Sequence, residues 1–280
     1  MTKSMLEPST KTDLLQPRAY GLMNWLGLWT LYKREVGRFL KVWMQTLFAP
    51  VVTTLLFMTV FKLAFGNRGE LTGDFAGLDY NSFLAPGLIV MSVLQNAFQN
   101  SSSSLTIAKV QGSQVDFLMP PLSPLELTLG FIFGAVTRGV MVGAISATAI
   151  HFSGLATLNI VHLCPILWFA LMAAIFLAAL GAMGGIWADK FDHLAAVTNF
   201  VIVPLTFLSG TFYDINVLVE PFQTLAYFDP IFFLIDGFRY GFLGAANSNI
   251  LQGALISGGV ALAASAGVWW MLKSGYKLKA

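Results

Sequence analysis

The chain has 280 residues, of which 56% are hydrophobic and only 11% are charged. An average soluble domain carries roughly 25% charged residues, and a globule of this size has too little interior to hide so many apolar side chains from water. The composition therefore excludes a soluble globular protein and predicts an integral membrane protein. The formal net charge of +2 is too small for the clustered basic surface that nucleic acids require, so we expect no nucleic-acid partner.

Signatures of catalysis and of metal binding are missing from the sequence. The single cysteine, Cys164, excludes a disulfide within one chain and a cysteine-based zinc site. The dipeptide Gly-Lys does not occur, so there is no Walker A loop to hold a nucleotide. The three histidines lie far apart in sequence and form no candidate ligand set. We expect no enzymatic activity, no metal site and no cofactor in this chain.

The N-terminal part of the sequence divides into two segments. Residues 1–19 mix charges with prolines and contain no cleavable apolar run, which predicts a cytoplasmic leader and not a signal peptide. Residues 20–41 place aromatic and aliphatic side chains on one side of a helix and Lys and Arg on the other. This pattern predicts an amphipathic helix at the membrane interface. The alternative is a frayed leader to the first span.

Six segments are long and apolar enough to cross a membrane, which takes roughly 20 mainly apolar residues. The fifth of them is short and contains Pro204. The sequence therefore predicts an all-α integral membrane protein with six transmembrane helices and a single domain over residues 1–280. The predicted spans are residues 43–65, 83–107, 126–150, 161–187, 197–213 and 252–272.

The distribution of charge between the loops predicts the orientation. Twelve Lys and Arg residues fall on the side that holds the N-terminus, whereas the other side holds three, together with seven acids. Because Lys and Arg accumulate in cytoplasmic loops, both termini are predicted to be cytoplasmic.

The predicted second span carries a polar stripe of amide and hydroxyl side chains. At 100° per residue these side chains fall within about 160° of the helix circumference. Amide groups in hydrocarbon are costly unless they are paired, so the stripe must meet other helices or a wet cavity. It either joins helices by hydrogen bonds or lines a translocation pathway. Its central residues are Gln95, Asn96, Gln99, Asn100 and Ser103.

Arg138 is the one ionisable residue near the centre of a predicted span. A charge in that position costs between ~3 and more than ~10 kcal/mol, so the side chain must face protein or water. It either pairs with a carbonyl or an amide of the polar stripe, or lines the pathway. Gly130 and Gly134 lie on one face of the same helix and Gly139 and Gly143 on the opposite face, which predicts a helix packed between two neighbours.

Two connecting segments are more apolar than connection alone requires. Residues 109–130 combine three prolines with a short apolar patch, which predicts a cytoplasmic element that docks onto a partner. Residues 214–250 are too acidic to span a membrane and too aromatic for a solvated loop. They predict two short re-entrant helices in the outer leaflet, broken at Asp229-Pro230.

These two segments resemble the ABC-2-type transporter permeases. In the first segment the resemblance rests on Gly112, Asp116 and Pro120, followed by Leu122-Ser123 and Leu129-Gly130. Asp116 stands where the family more often has Glu. In the second segment the matching parts are Leu208-Ser209-Gly210, Asp229-Pro230 in place of the usual Asn-Pro, and the run from Asp236 to Arg239.

The resemblance implies the membrane-spanning permease subunit of an ATP-driven exporter in the bacterial cytoplasmic (inner) membrane. Two copies would form the pathway as a homodimer within membrane lipid, and two separate ATPase subunits would bind ATP and Mg²⁺. The cargo would be amphipathic, lipid-linked or a glycan. The implied ATPase-coupling residues are Lys109, Gly112, Asp116, Phe117, Leu118 and Pro120, and the implied outer residues are Asp229, Pro230 and Arg239.

An ion-coupled secondary transporter is the alternative from a different functional class. Such proteins carry acids near the span centres and internal repeats, and the sequence has neither. A membrane scaffold that transports nothing would fit the composition but would leave the polar stripe unexplained.

Overall fold

The computed structural model describes residues 21, 23–65 and 75–277, and this part of the chain is helical without β-strands. The predicted cytoplasmic leader lies outside the described residues. In chain order the helices are α1 (Trp25–Leu40), α2 (Met44–Phe65), α3 (Tyr80–Val110), α4 (Val115–Leu118), α5 (Pro124–Ser153), α6 (Leu163–Trp187), α7 (Phe191–Leu208), α8 (Phe222–Phe228), α9 (Pro230–Leu243) and α10 (Ile250–Ser274).

Five of the helices are long and apolar enough to cross a membrane, namely α2, α5, α6, α7 and α10. They correspond to five of the six predicted spans. The remaining predicted span, 83–107, lies within α3, which is 31 residues long. Because α3 carries the polar stripe, its composition does not by itself identify it as a span. The prediction of six spans therefore stays a prediction.

The fifth span differs in position from its predicted range of 197–213. It begins at Phe191, because the polar residues Asp192 and His193 lie in the first turn of α7 and not in a loop. It ends at Leu208, and Gly210 with a φ of +75° then turns the chain. Residues 209–213 therefore belong to the connecting segment and not to the helix.

The central helix of the bundle is α3, which packs against α2, α5, α6 and α9. Small residues allow the neighbouring backbones to approach it closely. A Cβ atom built at Gly185 of α6 would lie 2.8 Å from the carbonyl oxygen of Ser102. The Ser101 hydroxyl also donates a hydrogen bond of 2.7 Å to the carbonyl oxygen of Ala178. Polar groups and small residues thus join α3 to α6.

The two glycine faces of α5 contact different helices, as predicted. Gly134 lies against Glu35 of α1, where an added Cβ would be 2.5 Å from the Cβ of Glu35. On the opposite face, an added Cβ at Gly139 would be 3.0 Å from the carbonyl oxygen of Val93 in α3. The prediction that α5 is packed between two neighbours is confirmed.

The buried face of α1 is not the tryptophan face. Leu31, Glu35 and Phe39 are buried, whereas Trp25 and Trp29 are 69% and 53% exposed. The predicted helix over 20–41 is present from Trp25, and its location at a membrane interface stays a prediction. The sequence pattern did not indicate that α1 has a third face, which carries a buried carboxylate and packs against α5.

The helix termini form two ends of the bundle, which we call the Lys109 end and the Arg239 end. At the Lys109 end, Lys109 donates to the carbonyl oxygen of Ile186 at 2.5 Å, and Lys277 pairs with Asp189 at 2.9 Å. At the Arg239 end, Arg239 donates to the carbonyl oxygen of Gly210 at 2.8 Å. The lysines predicted to be inside and the arginine predicted to be outside thus lie at opposite ends.

Enlarging Gly134 is expected to destabilise the packing of α1 on α5. We expect Gly134→Val to lower the free energy of unfolding by about 1–3 kcal/mol, because overpacking forces the neighbouring chains apart. Thermal denaturation of the purified protein in detergent would measure the change. Gly37→Val in α1 is the matched control, because nothing lies within 4 Å of a Cβ added there. Equal stability of the two variants would contradict the contact.

Candidate functional site

The polar stripe of α3 opens onto a groove between α2 and α3, which we call the polar groove. Its volume is about 250 Å³. From α2 it is lined by Gln45, Thr53 and Thr54, and from α3 by Ser92, Gln95, Asn96 and Gln99, among others. Three glutamines therefore face one cavity, which suits polar contents and not lipid tails.

The stripe residues are divided between the groove and the helix contacts. Gln99 is exposed and Gln95 is half-buried, whereas Asn96 and Asn100 are buried. Ser103 is half-buried. One part of the stripe thus joins helices by hydrogen bonds and another part lines a cavity. That this cavity belongs to a translocation pathway stays a prediction.

Arg138 reaches the stripe from α5. Its side chain is buried, and Nη2 donates to Oδ1 of Asn96 at 3.0 Å and, over a longer distance of 3.5 Å, to Oε1 of Gln99. Of the alternatives considered for this arginine, pairing with the stripe amides is the arrangement found. Arg138 does not itself line the polar groove. Its guanidinium instead contacts two residues that do, Asn96 and Gln99.

Arg38 reaches the same stripe from α1, one helical turn further along α3. Its Nη2 donates to the backbone oxygen of Asn100 at 2.7 Å and to Oδ1 of the same residue at 3.0 Å. Nη1 donates to the hydroxyl of Ser103 at 3.3 Å. The sequence pattern placed Arg38 among the Lys and Arg residues on one side of the predicted interfacial helix and did not indicate this contact.

Glu35 balances part of the positive charge. Its side chain is fully buried, and its carboxylate lies 3.3 Å from Arg38 and 3.5 Å from Arg34. The signal that could have revealed it is its spacing of four residues from both Leu31 and Phe39, which places the one acid of α1 on an apolar face. A buried carboxylate in this position requires a cationic partner.

The part of residues 109–130 that precedes α5, which we call the coupling segment, lies at the Lys109 end. Lys109 donates to the carbonyl oxygens of Ile186 and Ala188, and so neutralises the C-terminus of α6. Gly112, with a φ of +69°, turns the chain after α3. Asp116 and Pro120 are exposed.

Within the coupling segment, Phe117 points inward and its neighbours point outward. Phe117 is 2% exposed, and its ring meets that of Phe131 edge-on at 5.3 Å. Leu118 and Met119 are 41% and 79% exposed. Leu118 and Met119 are therefore accessible to a partner, whereas Phe117 is not. The docking role of the segment stays a prediction.

A single carboxylate connects the coupling segment, α1 and α5. Glu126 accepts hydrogen bonds from the backbone N–H of Asn24 and, at 2.6 Å, from that of Ser123. The Ser123 hydroxyl in turn accepts from the Glu126 N–H, which completes a capping box at the start of α5. The Asn24 side chain caps α1 by accepting from Gly27 at 2.9 Å. The Glu126 carboxylate thus holds the coupling segment, α1 and α5 together, and we call this group of contacts the Glu126 joint.

Asp189 links three segments at the Lys109 end. The hydrogen bond from Lys277, with a further one from Lys109, holds the pKa of the Asp189 carboxyl below its usual range. The carboxylate is therefore charged at neutral pH and ties the residues after α10 to the end of α3.

The predicted outer residues have structural contacts. Arg239 is 2% exposed, donates to the carbonyl oxygen of Phe83 at 3.3 Å, and places its guanidinium 3.8 Å from the centre of the Phe83 ring. Asp229 accepts from the Ile231 N–H at 2.9 Å and caps α9, which begins at Pro230. The predicted break between two helices at Asp229-Pro230 is therefore present, and whether these helices are re-entrant stays a prediction.

The comparison with known proteins identifies the family. The family model for the ABC-2 type transporter matches residues 27–243. The chain belongs to the ABC-2 type transporter family. It is 36% identical over 224 residues to the inner membrane transport permease YadH of Escherichia coli K12, which covers 79% of this chain and 85% of that protein. Nodulation protein J of Rhizobium leguminosarum bv. trifolii is 27% identical over 234 residues, covering 83% and 86%.

Membership of the ABC-2 family makes the chain a transport component, the membrane subunit of an ABC transporter. An ABC ATPase is its implied partner. The apolar helices and the inner-membrane relative agree on a multi-pass inner membrane protein.

The opposite environments of Phe117 and Met119 lead to a stability prediction. We expect Phe117→Asp to lower the free energy of unfolding by about 3 kcal/mol or more, since it removes a buried ring and buries a carboxylate. Met119→Asp should leave it nearly unchanged, because that side chain is exposed. Thermal unfolding monitored by size-exclusion chromatography would compare them, and a stable Phe117→Asp protein would refute the inward position of the ring.

Proposed function

We propose that this ABC-2 permease forms the translocation pathway of an ATP-driven exporter, as a homodimer coupled to two copies of a separate ATPase subunit. The observation that supports this proposal most is the polar groove, because exposed Gln99 and half-buried Gln95 line a cavity beside the apolar helix α2. Amide groups facing lipid would be costly. A wet pathway between two copies would remove that cost.

The proposed membrane arrangement is argued from helix packing and from the distribution of charge. We take α3 as the sixth span, because it packs among helices that are themselves long enough to cross a membrane. The Lys109 end would face the cytoplasm together with both termini, since Lys and Arg accumulate there. Helices α8 and α9 would then enter the outer leaflet as re-entrant helices, shielded by protein.

The proposed homodimer would place a second copy against the exposed apolar side chains of α2 and α7. Leu56 of α2 is 60% exposed and Phe200 of α7 is 82% exposed. Both helices pack against α3. A second copy placed against them would close the polar groove on its open side.

Coupling to the ATPase would take place at the Lys109 end. The exposed side chains of Leu118 and Met119 offer a small apolar contact, and beside them a groove of about 270 Å³ lies between α1 and the coupling segment, lined by Gly27, Thr30 and Pro120 among others. ATP and Mg²⁺ would be bound by the ATPase. Motion received there would pass through the Glu126 joint into α1 and α5.

The proposed cargo is amphipathic, lipid-linked or a glycan. The alternative of an ion-coupled secondary transporter gains no support from the groove, because no acid is found in its lining within the described part of the chain. The one buried acid of α1, Glu35, is paired with arginines and does not line the groove.

Coexpression with its partner ABC ATPase subunit provides the test. We expect a complex of two permeases and two ATPases, in which ATP turnover exceeds that of the ATPase alone. Met119→Asp should abolish the increase while the permease remains folded, because a charge would interrupt the apolar contact. The matched control is Val219→Asp at the Arg239 end, where the side chain is similarly exposed at 77% against 79% for Met119. Transport driven by an ion gradient without nucleotide would contradict the proposal.

A further inference from the structure

The two arginines that reach α3 fix the orientation of its amide side chains. A guanidinium group can only donate hydrogen bonds, so the atom that faces it must be the amide oxygen. Arg138 thus faces the side-chain oxygens of Asn96 and Gln99, and Arg38 faces that of Asn100. The amide nitrogens are consequently turned away from the arginines.

The amide nitrogens of the stripe are only partly used within the chain. The Asn96 Nδ2 atom donates to the carbonyl oxygen of Ser92 at 2.9 Å. The Asn100 Nδ2 atom is buried and has no acceptor among the described residues. Gln99 is exposed to the polar groove, and its oxygen is directed to Arg138, so its NH₂ group is left for the contents of the groove. At Gln99 the α3 wall of the groove therefore presents a hydrogen-bond donor.

The hydroxyl groups on the α2 wall do not compete for the same ligand. Thr53 donates to the carbonyl oxygen of Ala49 at 3.0 Å, and Thr54 donates to that of Pro50 at 3.0 Å. Their protons are thus used within α2. The donors available in the groove come from the glutamine side chains.

The charge around the stripe is positive. Arg38 and Arg138 both contact it, and the acid found beside them is Glu35, which is shared between Arg34 and Arg38. Among the residues that the structure describes, no acid lines the polar groove. An anionic, oxygen-rich group would find both donors and a favourable potential in this place, whereas a cation would find neither.

We propose that the polar groove binds a phosphoryl group of the cargo, and that Arg138 acts as a positioning residue that holds the Gln99 amide with its NH₂ group toward it. A phosphoryl group offers several acceptor oxygens and negative charge, which matches a wall of glutamine side chains beside a buried guanidinium group. The phosphoryl group belongs either to a lipid headgroup or to a soluble phosphate ester. The inference rests on the proposed function, because it assigns the cargo chemistry of the same pathway.

The experiment uses the complete permease–ATPase complex in phosphatidylcholine nanodiscs. ATP turnover is measured while phosphatidic acid, diacylglycerol with the same acyl chains, or soluble glycerol 3-phosphate is added. We expect phosphatidic acid or glycerol 3-phosphate to raise turnover and diacylglycerol to have no effect. A response to phosphatidic acid alone assigns the phosphoryl group to a lipid, and a response to glycerol 3-phosphate assigns it to a soluble ester.

Variants connect the response to the groove. Gln99→Glu keeps the oxygen for Arg138 but removes the free NH₂ group, and we expect it to raise the half-maximal phosphate-ester concentration by about tenfold or more, the usual effect of losing one charge-assisted hydrogen bond. Arg138→Met should have a similar effect, and Arg138→Lys should restore most of the response, because lysine also donates. Gln252→Glu on exposed α10 is the matched control and should respond as the unmodified protein does.

Three outcomes would overturn the inference. They are an equal response to diacylglycerol and to the phosphate esters, an unchanged response in Gln99→Glu, and an Arg138→Lys protein no better than Arg138→Met. In each case the exporter proposal would still hold if the ATP turnover of the complex exceeded that of the ATPase alone. Failure to bind the ATPase would instead contradict the exporter proposal itself.

Discussion

Polar groups inside a helical bundle must be hydrogen-bonded, because an unpaired amide in an apolar environment costs on the order of several kcal/mol. In this protein that requirement falls on α3, whose stripe of amides lies among apolar helices. Arg38 from α1 and Arg138 from α5 meet it for two side-chain oxygens one helical turn apart, those of Asn100 and Asn96. The relative positions of α1, α3 and α5 follow from these two contacts, and the glycine faces of α5 make the close approach possible.

The same contacts connect the two regions that a driven transporter must link. At one end of α1, the carboxylate of Glu126 holds Asn24 beside the coupling segment. Further along α1, Arg38 holds the polar stripe. A 16-residue helix spans about 24 Å, so α1 bridges the coupling segment and the polar stripe of α3. Packed helices and buried hydrogen bonds, and not a flexible loop, connect the coupling segment to the polar stripe.

Local periodicity predicted most of the helices, and it failed where polar residues belong to a helix or where contacts are made between distant segments. The spans at 126–150 and 252–272 fall within α5 and α10. The start of α7 was missed because Asp192 and His193 resemble a loop. The pairing of Arg138 with a stripe amide was among the predicted alternatives. The role of Arg38 could not be read from the sequence, because helical spacing assigns a residue to a face but does not name the helix opposite it.

The buried position of Glu35 also has a consequence for the assembly of the chain during synthesis. Its carboxylate lies against Gly134 of α5, and its partner Arg38 contacts Asn100 of α3, yet α1 leaves the ribosome before either of those helices exists. The nascent α1 can therefore reach its final position only after α3 and α5 have been made. Docking of α1 consequently follows the synthesis of α5, although Glu35 precedes both partner helices in the chain.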